Sequence, residues 1–267
     1  MHSRLVWLLA AAAACSRADA QPAPAGATPA LYDLDTAAQP APGANSALDR
    51  VIRSLHVRVC VRADVPPFSY FGPGGLTGFD VALAREIVDQ ISIDYKQALA
   101  PEWVVVTAAE RTKRLQDDAC DVLVASYSYT KERAAQVATS KVYARTDKVL
   151  LAAATLAHKP PVIAKLEGAT GDVGVTGTVR SFRTYQEIVH AMDAGEIDYL
   201  ATDRPIAEHL LRSTVKSYKI AKTLAAGAES YVAAVKPGNA DLLAAVDRAL
   251  ETLARSGRLA LLERRYL

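Results

Sequence analysis

The sequence predicts an α/β protein with two lobes, each a mainly parallel sheet flanked by helices. The chain has 267 residues, 51% of them hydrophobic, which is enough to bury one large core or two smaller ones. Strand-like and helix-like segments alternate, as in sheets covered by helices on both faces. The helix, turn and strand pattern of residues 109–126 returns at residues 183–203. This repetition indicates two similarly organised halves.

The first half reads as strands and helices in alternation. Residues 55–62, "LHVRVCVR", alternate apolar and polar side chains over the length of a strand. Residues 63–78 are dense in Pro and Gly and predict a loop, and apolar residues at helical spacing follow in residues 79–91. The pattern then predicts, in order, a strand at 102–108, a helix at 109–119, a strand at 120–126 and a short helix at 131–138.

The second half begins with an apolar strand at residues 147–155 and a region rich in Gly and Pro. A helix and a strand within 183–203, a helix at 204–211, a return strand at 229–237 and two helices between 239 and 267 complete the pattern. We expect the first lobe to comprise residues 50–148 and 232–267, and a shortened second lobe to comprise residues 149–231.

The N-terminus has the character of an export signal. Residues 1–20 contain Arg4, an apolar run from Leu5 to Ala14, and the cleavage pattern Ala18-Asp19-Ala20. The run is roughly half the ~20 residues that span a bilayer, so we expect no transmembrane helix in the mature protein. The alternative is a lipoprotein signal that ends before Cys15, which would anchor the protein by an acyl chain. Residues 21–49, rich in Pro and Ala, are expected to form a flexible linker.

Charge and motifs exclude several functions. The formal net charge is +2 and no basic block occurs, so we expect no nucleic-acid partner. The histidines are scattered, and neither HExxH nor CxxC is present, so we expect no metal site and no cofactor.

Polar residues at the ends of two strands are the candidate site. Ser126, Ser128 and Thr130 follow the third strand, and Thr130 is placed to cap the helix that carries Arg133. An arginine at such a helix start can bind a carboxylate through two parallel hydrogen bonds, or it can be an ordinary solvated helix charge. Asp203, at the end of a second-lobe strand, is either a helix cap or an acceptor for a ligand ammonium group.

Three segments resemble a known family, namely residues 55–87, 114–144 and 245–267. The most specific parts are P-P-F-S-Y with G-F-D-V-x-L-A, and S-x-S-x-T-x-E-R. They are similar to the family 3 extracellular solute-binding proteins, the periplasmic receptors of polar amino-acid ABC importers, from about residue 50 to the C-terminus. The resemblance implies a type II periplasmic-binding-protein fold, in which two crossing strands join the lobes and the lobes close on a ligand. It also implies a monomeric periplasmic receptor whose partners are a small ligand and an inner-membrane ABC permease.

The resemblance assigns roles to the candidate residues. Arg133, helped by Ser128, would hold the ligand α-carboxylate, and Ser126 with Asp203 would receive the α-ammonium. Arg111 would meet a side-chain carboxylate. Phe68 and Thr178 complete the implied ligand-binding set. Two departures from the family are Val65, where an aromatic side chain often stacks on the ligand, and the short segment after Gly177, which leaves little room for a helix.

Two cysteines remain if Cys15 is removed or acylated. Cys60 and Cys120 are either a disulfide or two small buried hydrophobic residues. In the fold that the resemblance implies, their strands are neighbours, and this favours a disulfide.

The leading prediction is a non-enzymatic receptor for an amino acid or related carboxylate. One alternative is an enzyme similar to cyclohexadienyl dehydratases, for which the second-lobe carboxylates Glu187, Glu196, Glu208 and Glu229 are candidates. The other is an accessory protein of a periplasmic dehydrogenase system with a degenerate ligand site.

Overall fold

The computed structural model describes residues 39–171, 173–213, 217–224 and 228–267. The expected signal peptide and the first part of the expected linker, residues 21–38, therefore lie outside the described residues. The folded unit begins within the expected linker: helix α1 (Ala47–Ser54) buries Ala47 and Leu48, and the Ser46 hydroxyl caps it by accepting from the Asp49 N–H.

The chain forms a first set of elements up to residue 146. They are β1 (His56–Val61), β2 (Asp64–Val65), β3 (Ser69–Gly72), β4 (Gly75–Thr77), α2 (Phe79–Tyr95), β5 (Ala100–Val105), α3 (Arg111–Gln116), β6 (Val122–Leu123), α4 (Lys131–Ala134) and β7 (Ala138–Thr146). A second set follows: β8 (Lys148–Ala152), β9 (Val162–Leu166), β10 (Thr178–Phe182), α5 (Tyr185–Asp193), β11 (Tyr199–Asp203), α6 (Arg204–Ser213) and β12 (Lys219–Thr223). The chain ends with β13 (Glu229–Val235), α7 (Ala240–Arg255) and α8 (Arg258–Tyr266).

Two five-stranded sheets organise these elements. The first has the order β5-β1-β6-β13-β7 and the second the order β10-β9-β11-β8-β12. Strand β1 runs parallel to both β5 and β6, and β9 runs parallel to both β10 and β11, whereas β13 and β8 are antiparallel to their neighbours. The chain passes from the first sheet to the second between β7 and β8, and it returns between β12 and β13. The predicted two-lobed α/β class is confirmed.

We call the first sheet with α1 to α4, α7 and α8 the first lobe, and the second sheet with α5 and α6 the second lobe. Helix α2 buries Phe79, Leu83, Ile87 and Ile91, the four apolar positions that its spacing predicts. It packs on α7 and against the first sheet. Among the described residues, no helix combines the length and the apolar character needed to cross a membrane.

The predicted disulfide is confirmed. Cys60 in β1 and Cys120, two residues before β6, form a bond with an S–S distance of 2.04 Å. The two strands are parallel neighbours with Val59 opposite Val122 and Cys60 opposite Leu123. The bond therefore links β1 to a strand that is only two residues long.

Other regions also differ from the prediction. Residues 63–78, expected to be a loop, contain the small antiparallel sheet β2-β3-β4, since hairpin pairing is local and tolerates the Gly and Pro residues at its turns. Helix α4 ends at Ala134 instead of continuing to 138, because residues from Ala138 onward pair with β13 as strand β7.

Candidate functional site

A narrow pocket lies between the two sheets and leaves a volume of about 20 Å³ for water-sized molecules. Both lobes line it, with side chains from strands, from the first turns of helices and from the loops between them. The lining residues are Arg62, Arg111, Ser126, Ser128, Lys148, Leu166, Ala169, Thr170, Tyr185, Ala201, Thr202, Asp203 and Ile206. Polar and charged groups from opposite lobes therefore converge on one space, as they do in sites that recognise small polar ligands.

Arg111 lies at this pocket, buried on the first turn of α3. Its guanidinium donates to the carbonyl oxygens of Ala108, Ala125, Ser126 and Gly168 at 2.8 to 2.9 Å. Burial, with the positive charges of nearby arginines, lowers its pKa. Backbone acceptors thus satisfy most of its N–H groups, which limits what it can offer to a ligand side chain.

Ser126 lines the pocket, but its hydroxyl has a different partner. It donates to Oδ2 of the fully buried Asp80 at 2.7 Å, and the Tyr143 hydroxyl donates to the other oxygen at 3.0 Å. Burial raises the pKa of Asp80. Ser126 has a φ of 46°, and its carbonyl points to Arg111. Asp80, through the Ser126 hydroxyl, and Arg111, through the Ser126 carbonyl, therefore both hold the chain that follows β6.

Arg133 lies beside the pocket and contacts the second lobe. It donates to the Ser128 carbonyl at 2.8 Å and to the Gly168 carbonyl at 2.7 Å, and its guanidinium is 4.3 Å from the centre of the Tyr127 ring. Burial lowers its pKa. The Thr130 hydroxyl accepts from the Arg133 N–H, as the capping pattern predicts.

Asp203 ends β11 and carries the acidic group of the pocket lining. The Tyr231 hydroxyl donates to its Oδ2, while its Oδ1 is buried and has no hydrogen-bond partner among the described residues. Burial raises its pKa and outweighs the opposing effect of Lys148. An unsatisfied buried carboxylate oxygen is costly, so this atom favours a ligand that donates a hydrogen bond to it.

A second cluster at the pocket was not predicted from the sequence. Lys148, the first residue of β8, donates to Oε1 of Glu229 at 2.8 Å and to the Thr170 carbonyl. The Thr170 hydroxyl lies 3.0 and 3.1 Å from the two Glu229 carboxylate oxygens and 3.2 Å from Oγ of Ser128. Burial would raise the pKa of Glu229, but hydrogen bonds from Lys148, Ser128 and Thr170 lower it. Glu229 is therefore held as a carboxylate.

Arg133 lies beside the pocket but is not part of its lining, and two other residues of the implied ligand set lie away from it, unlike the expectation. Phe68 is fully buried in the core, in edge-on contact with the rings of Phe79 and Tyr231. Thr178 opens the exposed strand β10, opposite Val162. The strand that leads into the pocket is β9, so the threonine that reaches the site is Thr170.

The four carboxylates that were candidates for a catalytic role in the enzyme alternative have different surroundings. Glu187 accepts the N–H groups at the start of α5, Glu196 pairs with Arg180, and Glu208 pairs with Arg204. Glu229 alone of the four reaches the pocket cluster. Among the described residues, no group of three or more His, Cys, Asp or Glu side chains is placed to hold a metal ion.

The amino-acid sequence is similar to proteins of one known family. Residues 57–267 match the sequence profile of the bacterial extracellular solute-binding proteins, family 3. The chain is 28% identical over 213 residues to the ABC transporter glutamine-binding protein GlnH of Bacillus subtilis, which covers 74% of this chain and 76% of that protein.

Solved structures share the fold. The solute receptor for L-cysteine of Neisseria gonorrhoeae is similar with a TM-score of 0.74 and 23% identity over 82% of this chain and 93% of that one. The ancestral amino acid-binding protein AncCDT-1, a precursor of cyclohexadienyl dehydratase, gives a TM-score of 0.71 and 23% identity over 83% of this chain and 99% of that one.

Proposed function

Because the chain belongs to the bacterial extracellular solute-binding proteins, family 3, we propose that it captures a small amino acid or related carboxylate and delivers it to an ABC importer of the inner membrane. The observation that carries this proposal is the charge pattern of the pocket. Cationic groups, Arg111 and the adjacent Arg133, lie near a buried carboxylate, Asp203, that has one oxygen without a partner. A zwitterion is the small solute whose charges match both.

Arg133 is proposed to bind the ligand carboxylate. Its present acceptor from the second lobe, the Gly168 carbonyl, is neutral, whereas a carboxylate adds a negative charge opposite the guanidinium and can accept two parallel hydrogen bonds from it. A ligand carboxylate can therefore replace that carbonyl. Asp203 is proposed to receive the ammonium group through Oδ1, since Tyr231 already holds Oδ2.

A thermal-shift screen of amino acids and small carboxylates tests the proposal. A ligand at ~100 times its Kd stabilises the folded state by about 2.7 kcal/mol, which raises Tm by about 5–10 °C for a chain of this size. We expect Arg133→Ala and Asp203→Asn to abolish the shift. Arg53→Ala, at an exposed arginine on α1, is the matched control and should keep it. No shift across the screen would contradict the proposal and favour the accessory-protein alternative.

A second candidate function is a dehydratase-like lyase. It is supported by Asp203, whose raised pKa allows a protonated carboxyl in the pocket that could donate a proton to a leaving group. Turnover of prephenate or arogenate that is lost in Asp203→Asn would support this candidate. Ligand binding without turnover would contradict the lyase and support the receptor function.

Family membership implies an exported protein. We propose a periplasmic location, either soluble or anchored through Cys15. Labelling of the expressed protein with radioactive palmitate, with Cys15→Ser as control, distinguishes the two.

A further inference from the structure

The cations and hydroxyls at the pocket already bind acceptors that belong to the protein itself. Arg111 and Arg133, both in the first lobe, donate to the same oxygen of the second lobe, the Gly168 carbonyl, at 2.9 and 2.7 Å. This one carbonyl oxygen therefore occupies guanidinium donors that a ligand carboxylate would otherwise use.

The Glu229 carboxylate is a second acceptor of the protein itself that occupies hydrogen-bond donors near the pocket. It begins β13 of the first lobe, and it bonds Lys148 and Thr170 of the second lobe, beside Ser128. Its side chain and that of Lys148 are 14% and 6% exposed. A buried, hydrogen-bonded ion pair of this kind is strongly coupled, because removal of one partner leaves the other charge uncompensated.

All of these contacts cross from one lobe to the other, close to the two connections between the sheets. Two ring contacts add to them: the Arg62 guanidinium lies 5.6 Å from the centre of the Tyr185 ring, and the rings of Tyr70 and His209 are 6.2 Å apart. A rotation that opened the lobes would separate the Gly168 carbonyl from both arginines and Thr170 from Glu229.

We propose that the protein closes without ligand on two acceptors of its own, the Gly168 carbonyl and the Glu229 carboxylate, and that these acceptors compete with a ligand carboxylate. This inference rests on the proposed function for the competition, but the closure itself does not require it. Glu229 then sets part of the affinity for a carboxylate ligand, because the hydrogen bonds that Glu229 accepts must break when the ligand enters.

Gly168 offers a direct way to prevent the closure. A Cβ at this position would lie 2.7 Å from the Ala108 carbonyl oxygen of the first lobe, and the backbone has a φ of 72°. Gly168→Ala therefore combines backbone strain with a clash between the lobes. Gly195 has a φ of 77° and nothing within 4 Å of the added Cβ. Gly195→Ala thus has the same strain without the clash and is the matched control.

The test measures the distance between the lobes in ligand-stripped protein. Fluorophores are attached to cysteines introduced at the exposed positions Lys131 and Arg183, one on each lobe, with the Cys60–Cys120 disulfide intact. The protein is unfolded and refolded without reductant to remove bound solutes. We expect high transfer efficiency in the wild type and in Gly195→Ala, and lower efficiency in Gly168→Ala.

Glu229→Gln keeps the shape of the side chain and serves as the second variant. It is expected to lower the ratio of closed to open molecules by about tenfold or more, because it removes the negative charge of the buried ion pair with Lys148 between the lobes. The proposal is overturned if the wild type has the transfer efficiency of Gly168→Ala, or if Glu229→Gln stays as closed as the wild type. A failure of the amino-acid screen would leave these measurements unaffected, so the two proposals fail separately.

Discussion

Loss of the Cys60–Cys120 disulfide should lower the free energy of unfolding by about 4 kcal/mol. The cysteines are 60 residues apart in sequence. In the chain-entropy account, closing a loop of this length removes about 14 cal/mol/K from the unfolded chain, or about 4 kcal/mol at 25 °C. In the folded state the bond lies beside β6, which has only two residues paired with β1.

The variant is Cys60→Ala with Cys120→Ala. Alanine is the suitable replacement because the pair is buried in an apolar cluster with Leu115, Leu123 and Val232, where a serine hydroxyl would be left unsatisfied. Urea unfolding followed by circular dichroism gives the free energy by linear extrapolation. Wild-type protein can also be reduced in denaturant and refolded, so that both thiols remain without the bond. The difference between its free energy of unfolding and that of the double variant gives the contribution of sulfur packing.

The oxidised and the reduced wild-type protein must differ in their free energy of unfolding. A difference below about 1 kcal/mol between the oxidised and the reduced wild type would show that the cross-link does not restrict the unfolded chain as assumed. The double variant should not respond to reductant. A response there would indicate that the reductant acts through something other than this bond.

Two further predictions concern the site. Ligand affinity should fall as the pH decreases through the pKa of Asp203, which burial raises above its ordinary value of 3.8, because only the ionised carboxyl can bind an ammonium group; calorimetric titrations across pH should show this dependence in the wild type and weaker, pH-insensitive binding in Asp203→Asn. Asp80→Ala should cost about 2–4 kcal/mol, since it leaves the hydroxyls of Ser126 and Tyr143 without their buried acceptor; denaturant unfolding measures the loss, and Asp89→Ala on the outer face of α2 should change little.

Local patterns were sufficient for the elements that depend on local spacing. The burial of Phe79, Leu83, Ile87 and Ile91 follows from the period of a helix, and Thr130 caps α4 as its type predicts. The disulfide followed once the order of the strands was known from the resemblance, because that order brings Cys60 and Cys120 to adjacent strands.

Features that depend on the meeting of two lobes could not be predicted in this way. Thr170 lies near the start of a glycine-rich stretch and Thr178 follows its end, and only the position of β9 as an interior strand of the second sheet decides that Thr170 reaches the pocket. Glu229 is likewise one carboxylate among several in the sequence. Its role depends on the return strand that carries it past Lys148, and periodicity along a single strand has no information on a partner 81 residues away.

The position of β13 in the first sheet has a consequence for biogenesis. This strand lies between β6 and β7 but comes from the end of the chain. A polypeptide that emerges with its N-terminus first can complete the second sheet from one continuous stretch, β8 to β12, while the first sheet still has a gap with two unpaired edges. Molecules interrupted before residue 229 should therefore aggregate through those edges, whereas Cys60 and Cys120, both upstream of the gap, can be oxidised before it is filled.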